Sequence, residues 1–454
     1  MEPGTPNPEH PVCESRPANV SSTNQQRPRV THHGREGRVA IVGAGLAGSC
    51  AALSLAREGV DVILLEQDHV PMNRASLRNE GKIHLGFVYG NDHTLSTSRL
   101  MLAGALSFAR ILRDLTGSGF DAVGISTPFN YLIARDSISD EGKITDHFER
   151  LQAAYSELIG DEYADYLGRC PTRLFRDIPE RVWRTTFSES KVQAVFHTEE
   201  LAVDSDDLAA LIRRALNAVP RLHVRTNHTV ESVERGDQGY TLRGRSGSGD
   251  FKLDVEQVVN AAWERRAALD RQMGIEPRGD LLHRLKYRVI GELPAVLKGG
   301  PSATMVLGRF GDVVVRPNGS VYLSWYPAAL QGWANDVEPP RSWDPPCRGD
   351  VESSLAQRLI SDTISGIDAW YPGIADIRPT IVDAGAIVAL GVTDVDDPAS
   401  GLHERTQVGV TSQDGYHSVD SGKLTTAPMF AMEAARRVRA GVRAVPAGDS
   451  MRLV

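Results

Sequence analysis

Gly43, Gly45 and Gly48 stand in the spacing G-x-G-x-x-G, and Glu66 follows them at the end of a second apolar run. That combination can hold a dinucleotide, and each residue has a mechanical task. Gly43 allows the tight turn, Gly45 lets the backbone approach a pyrophosphate, and Gly48 lets a helix pack closely on a strand. Ala44, Leu46 and Ala47 complete the turn and bring backbone N–H groups to a positively polarised helix end. Glu66, with Gln67 beside it, can accept hydrogen bonds from ribose hydroxyls, and its charge repels a 2′-phosphate. The elements that must position these groups are legible in RVAIVGAGLAGSCAALSLAREGVDVILLEQ. A buried strand (39–42) feeds the glycine turn, a helix follows, and a second strand ends on the acid.

The rest of the composition narrows the class. At 454 residues, 41% hydrophobic and 24% charged, the chain has the make-up of a soluble globular protein of two or three domains. No run is long and apolar enough to span a bilayer. A net charge of −8, with no dense block of Lys and Arg, speaks against nucleic acid as a partner. The four cysteines (Cys13, Cys50, Cys170 and Cys347) form no C-x-x-C pair and no cluster with histidine, so neither a metal site nor a disulfide framework is expected. A cytoplasmic location is the default. Residues 1–36, rich in Pro, Ser, Asn, Gln and His, read as a disordered tail without the apolar core of a secretory signal.

Farther along, apolar residues at three- and four-residue steps predict helices over 98–117 and 144–160, with a strand between them at 126–137. Asp204 to Asp207 open another helix with the acids a helix N-terminus favours. Strands follow through 222–263 and again through 284–326. Pro327 to Cys347, crowded with Pro and Trp, reads as a loop, and a helix is expected near 353–370.

Only one dinucleotide fingerprint occurs, whereas a flavin reductase using a pyridine nucleotide carries two. Beyond the first βαβ unit, three further blocks make the chain resemble the FAD-dependent oxidoreductases of the D-amino-acid oxidase superfamily. This group includes glycine oxidase, L-2-hydroxyglutarate dehydrogenase and FAD-dependent glycerol-3-phosphate dehydrogenase. The blocks are Lys82-Ile83-His84-Leu85-Gly86-Phe87-Val88-Tyr89, the run HTEELAVDSDDLAALIRRAL with its later V-x-x-V strand and N-A-A turn, and Ser421-Gly422-Lys423-Leu424-Thr425-Thr426. The resemblance implies an α/β fold: a three-layer, Rossmann-like FAD-binding domain of the glutathione-reductase type, interleaved with an α+β substrate domain on an antiparallel sheet. The first domain is expected from 37–125, 195–283 and 380–445, the second from 126–194 and 284–379.

It also implies roles. Gly422, Lys423, Leu424 and Thr425 precede a helix, so their N–H groups could face the flavin pyrimidine ring and steady the negative charge of its reduced form; a plain N-cap by Thr425 or Thr426 is the alternative. Arg74, Ser76 and Arg78 could meet the pyrophosphate. Lys82 lies in the segment expected near the flavin, and the backbone of Val230, with Val233, near the adenine. His84 is the candidate base, because oxidising a C–H beside a hydroxyl requires removal of the O–H proton. Arg316, in Val313-Val314-Val315-Arg316-Pro317, is the candidate anchor for an anionic substrate. Tyr322, Trp325 and Tyr326 could wall that pocket, and Lys286, Tyr287 and Arg288 are further candidates.

Two departures from the family pattern bear on function. The N-A-A-G turn reads Asn260-Ala261-Ala262-Trp263, which predicts a changed backbone or a filled space. The G-x-R-P arginine is replaced at Ile387 and Val388, leaving Arg405 as a nearby cation and arguing against glycerol phosphate as substrate. The expected activity is FAD-dependent oxidation of a C–H bond next to an amine or hydroxyl of a small anionic substrate, by hydride transfer to flavin N5. Oxygen or an unidentified redox partner would take the electrons. The alternatives are a flavin monooxygenase-like enzyme, for which Asp420-Ser421-Gly422-Lys423 lacks the needed G-D motif, and a flavin-binding protein without turnover.

Overall fold

A computed structural model describes residues 38–160, 165–308 and 310–441; the tail expected at 1–36 lies outside them. Arg38–Val42, Asp61–Leu65, Leu222–Arg225, Gln257–Asn260 and Tyr416–Asp420 form a parallel sheet, with Gly409–Gln413 added antiparallel at one edge. Its central strands are apolar on both sides because both faces are covered. Val39, Ile41, Val62 and Leu64 pack in one core with the helices Leu46–Arg57, Ser205–Asn217 and Ala427–Ala440. Their neighbours Ala40, Val42, Ile63 and Leu65 point the other way. They meet Val233, Tyr240, Leu242 and Leu253 of a three-stranded antiparallel sheet (His228–Gly236, Gly239–Ser246, Gly249–Val255). Helices, parallel sheet and antiparallel sheet are the three layers the resemblance implies.

A second, nine-stranded sheet carries the rest. It runs Leu330–Ala334, Leu281–Glu292, Ser320–Trp325, Gly311–Val315, Ser302–Val306, Phe129–Ala134, Val192–Thr198, Phe175–Asp177, with Arg378–Leu390 paired along Leu281–Glu292. All pairs are antiparallel except Ser302–Val306 with Phe129–Ala134, which is parallel. Val192–Thr198 and Arg378–Leu390, which straddle the expected boundaries at 195 and 380, both belong to this sheet. The period of two decides what each side chain meets. Leu132, Val313, Val321 and Leu323 pack beneath Ile367 and Trp370, at the end of helix Ser353–Asp368. Tyr131, Val314 and Tyr322 face the opposite way, into the core shared with the first sheet.

Asp204 caps the helix Ser205–Asn217, accepting the Asp206 N–H at 2.9 Å, as its acid-rich start predicts. The stretch 327–347 is not a bare loop: it holds the strand Leu330–Ala334 and short helices at Arg341–Trp343 and Asp344–Arg348. Trp343 and Cys347 are buried there beside Leu285, Tyr287 and Ala384, whereas Trp333 stays exposed. Among the described residues no helix is long and apolar enough to cross a membrane.

Candidate active site

A continuous cleft opens at the carboxyl ends of the parallel strands, where ligands bind in open α/β sheets. Its empty space, mouth included, is about 1640 Å³. Gly43, Gly45, Leu46, Ala47, Glu66, Gln67, Arg74, Ser76, Lys82, His84, Val230, Gly422, Lys423 and Leu424 all line it, as do Lys286, Tyr322 and Tyr326. Residues hundreds of positions apart in the chain are thus brought to one wall.

The glycine turn is shaped for close approach. Gly43 has φ of +95°, and its N–H donates to Leu65 O at 2.8 Å. A Cβ on Gly45 would come within 2.9 Å of Ser76 Oγ, which itself accepts the Leu46 N–H at 2.9 Å. Apart from that bond, the helix Leu46–Arg57 has no side-chain cap from its own N-cap residue, Gly45, so the remaining N–H groups of its first turn are available to phosphate oxygens. Ala44 and Gly48 lie behind the surface. Ala44 N–H donates to Glu66 Oε2 at 2.8 Å, and Asp68 N–H donates to Oε1 at 2.9 Å. Burial pushes the Glu66 carboxyl up to about 7 in spite of these donors. A cradle that a Cβ would fill, open helix N–H groups and an acid at the second strand's end together fit FAD.

Arg74 lines the same wall, but its guanidinium is committed to acids, to Glu264 at 2.8 Å and Asp344 at 2.6 Å. Arg78 likewise sits 3.3 Å from Asp383. Trp263, standing where the family pattern has glycine, holds a φ of +49°. Its indole N–H donates to Ala386 O at 2.9 Å and its ring lines the cleft, so the replacement fills space beside the site.

At the other end, Gly422 has φ of +63° and leads through Thr426 into the helix Ala427–Ala440, which no side chain caps. Thr425 instead accepts the His84 backbone N–H at 2.9 Å, tying the two segments together. Burial, with Arg405 nearby, pushes the Lys423 amine down to about 7, and no carboxylate among the described residues lies within ion-pair distance. Lys82, by contrast, is spent on Asp312 at 2.7 Å.

His84 is 4% exposed. Its Nδ1 lies 3.6 Å from Glu200 Oε1 and its Nε2 3.9 Å from Glu80 Oε1. Burial lowers its proton affinity, and Glu200 pulls the other way. Glu80, which the sequence reading did not single out, lines the cleft 3.6 Å from Lys286 Nζ. Burial would raise its carboxyl, but Lys286 and Lys423 hold it well below the usual carboxylate range.

Arg316, the expected anion anchor, is not brought to this cleft. It is buried 3.3 Å from Asp204 and does not line the wall. Lys286, Arg284, Tyr322 and Tyr326 stand there instead, with Lys286 Nζ 4.6 Å from the Tyr326 ring centre. Arg288 is locked to Asp383 at 2.6 Å, Tyr287 packs on the opposite face, and Trp325 lies against the helix bearing Gly366. Arg405 does not replace the cation missing at 387 and 388: its guanidinium donates to Val388 O at 3.0 Å, and it lines a neighbouring cavity, not this cleft. Among the described residues no group of three His, Cys, Asp or Glu side chains is placed to hold a metal ion.

One dinucleotide cradle joined to a charged inner chamber defines an oxidoreductase of the flavoprotein class. The chain belongs to the DAO family of FAD dependent oxidoreductases, whose family model matches residues 38–437. FAD is its cofactor. A stretch of 100 residues is 39% identical to the tRNA 5-methylaminomethyl-2-thiouridine biosynthesis bifunctional protein MnmC of Pseudomonas putida. It spans 22% of this chain and only 14% of that protein. Among solved structures, iminodiacetate oxidase from Chelativorans sp. BNC1 is similar, with a TM-score of 0.61, 18% identity, and coverage of 90% of this chain and 97% of that one. Glycine oxidase from Geobacillus kaustophilus follows at 0.61 and 16%, covering 90% and 96%. L-proline dehydrogenase from P. horikoshii stands at 0.60 and 12%, covering 90% and 95%. At these identities the likeness is one of fold.

Proposed function

We propose that this enzyme oxidises a C–H bond next to the nitrogen of a small, anionic amino compound, with a hydroxy acid as the second substrate class to test. The observation that carries the reading is the inner chamber, where Lys286 and Lys423 line the same cleft as Tyr322, Tyr326, Glu80 and His84, with Arg284 held there by Asp394 at 2.6 Å. Cations beside aromatic walls suit a carboxylate attached to a small apolar body. Glu80, kept ionised by its lysine neighbours, can take the proton-bearing nitrogen of the same substrate. FAD, when bound, supplies the redox chemistry by accepting the hydride.

The other steps fall to the chain. Gly43, Gly45, Leu46 and Ala47 would hold the pyrophosphate, Glu66 the ribose, and Val230 the adenine. Gly422 to Thr425 would hold the pyrimidine side of the flavin, with Lys423 adding positive charge. His84 Nε2, on the Glu80 side of the ring, accepts the proton that the substrate amine or hydroxyl must lose. Trp263 and the two tyrosines exclude water. In this reading the parallel-sheet part of the chain holds the cofactor and the nine-stranded sheet supplies the substrate wall. A cytoplasmic location is proposed with it.

The test is anaerobic mixing of the FAD-loaded protein with glycine, sarcosine, iminodiacetate, L-proline and L-2-hydroxyglutarate. Bleaching of the flavin band by an amino compound is expected. No bleaching by any of them overturns the reading. Repeating the assay with oxygen, or with an artificial dye, assigns the electron acceptor.

A further inference from the structure

Glu200 is a carboxylate with 0% exposure in the wall behind the cleft, on the turn between Val192–Thr198 and Leu201–Ala202. Burying such a charge costs several kcal/mol unless it is paired and hydrogen-bonded. Its oxygens are occupied accordingly. Oε2 accepts the Leu85 N–H at 2.7 Å, and Oε1 accepts the Tyr131 hydroxyl proton. The one ion-pair partner among the described residues is His84, whose Nδ1 stands 3.6 Å from Oε1.

His84 has the complementary arrangement. Nδ1 is buried with no hydrogen-bond partner among the described residues, while Nε2 lies toward Glu80 on the cleft side. The residue's main chain is tied to Thr425, and the ring packs in a T-shaped contact with Tyr89, whose centroid is 6.1 Å away. The charged and titratable groups that face it are Glu200 behind, Glu80 and Lys82 on its own segment, Lys423 ahead of the last helix, Tyr89 on Phe87–Tyr89 and Tyr131 on Phe129–Ala134. Of the two carboxylates, Glu80 is itself paired with Lys286, whereas Glu200 has His84 alone.

We propose that Glu200 is the positioning residue for His84: its carboxylate holds the Nδ1–H tautomer, leaves the Nε2 lone pair toward the cleft, and carries the counter-charge when Nε2 takes a proton. The proposal rests on His84 being the proton acceptor. In the step itself Nε2 gains one proton from the substrate N–H or O–H, the imidazole becomes an imidazolium, and Glu200 stays ionised throughout. Charge is thereby balanced inside the wall, where no water is needed to solvate it. The Leu85 N–H keeps the carboxylate aimed, because it holds the oxygen that His84 does not face.

The test uses the FAD-loaded protein labelled with 13C and 15N in histidine. The His84 resonance is assigned by its absence in His84→Asn. In the unaltered protein, Nδ1 is expected to carry the proton of the neutral ring. Glu200→Gln keeps an oxygen for Leu85 but removes the charge and sets an amide N–H2 donor where an oxygen faced Tyr131 and His84. The His84 midpoint should therefore fall by about one pH unit or more, a tenfold loss of proton affinity, and the neutral ring should lose its preference for the Nδ1–H tautomer. Glu200→Asp retains the charge one methylene farther away and should restore part of the shift; it also serves if the glutamine variant does not fold. In parallel, the rate of anaerobic flavin reduction by whichever panel compound bleaches the flavin is followed against pH. Its acid limb should move down with the NMR midpoint in Glu200→Gln, with KM little changed. A midpoint that does not move, or no His84 titration in either protein, overturns the positioning role alone. Undiminished reduction in His84→Asn overturns the proton-acceptor reading, and the positioning role with it, whatever the NMR shows.

Discussion

Gly48 and Gly43 touch through the backbone: a Cβ on Gly48 would come within 1.9 Å of the Gly43 carbonyl oxygen. Nothing in that contact can rotate away, so Gly48→Ala must push the first helix off the first strand. The expected cost is about 1–3 kcal/mol of stability together with loss of FAD, read from the melting temperature and flavin content. Gly45→Ala is the contrasting case. Its Cβ meets only the Ser76 hydroxyl, at 2.9 Å, and a side chain can turn aside. That variant should melt near the parent temperature yet retain less FAD.

Glu66 links cofactor binding to pH. Burial raises its carboxyl from 4.5 to about 7. The folded chain without FAD therefore holds a proton that the unfolded chain releases between those values. Its stability falls as pH rises from about 4.5 to about 7, by at most about 3 kcal/mol, and the term is constant outside that window. Glu66→Gln should flatten this part of the stability curve. Ribose hydroxyls donating to the carboxylate favour its ionised form, so FAD uptake near pH 6 should release protons. Calorimetry in buffers of different ionisation heat measures that release; identical heats after buffer correction would count against the ribose contact.

How much of this was legible in the sequence depends on how local each feature is. The glycine spacing of the turn and the Asp204 cap are set by neighbours within a few residues, and the chain displays them openly, although Ser76 reaches the turn from 30 residues away. Arg316, expected to anchor the substrate, lies beside Asp204, which comes from a distant segment, and no spacing rule links the two. On Leu281–Glu292 the alternation did carry a signal. Arg284 and Lys286 share one parity and line the cleft, while Leu285 and Tyr287 pack behind. Arg288 has the same parity as Lys286, but its ladder partner Asp383 neutralises it. Glu80 carried no periodic signal, lying between Asn79 and Gly81 outside any strand. Its importance follows from Lys286 crossing to meet it, a contact made only when both sheets are assembled.

Lys286 and Arg316 can therefore be told apart by experiment. Lys286→Met removes a cation from the cleft and should raise KM for an anionic amino substrate tenfold or more, about 1.4 kcal/mol, while FAD content holds. Arg316→Ala takes the counter-charge from Asp204, which keeps its two N–H donors, and should cost about 1–3 kcal/mol of stability with KM unchanged. The reverse pattern would return the anchor role to Arg316.

His417 gives an acid-side signature that does not involve the cleft. It sits on Tyr416–Asp420 with Nδ1 2.8 Å from Ser412 Oγ and Nε2 3.0 Å from Gln257 Oε1. Burial, aided by Arg437, pushes it down from 6.5 to about 4. The folded chain keeps it neutral while the unfolded chain takes up a proton, so stability is lost as pH falls from about 6.5 to about 4. The loss from this one residue is at most about 3 kcal/mol. His417→Gln, which cannot be protonated, should lose less melting temperature than the parent between neutral pH and pH 4.5, at equal ionic strength. Equal losses in the two proteins would mean that His417 charges in place without unfolding the sheet around it.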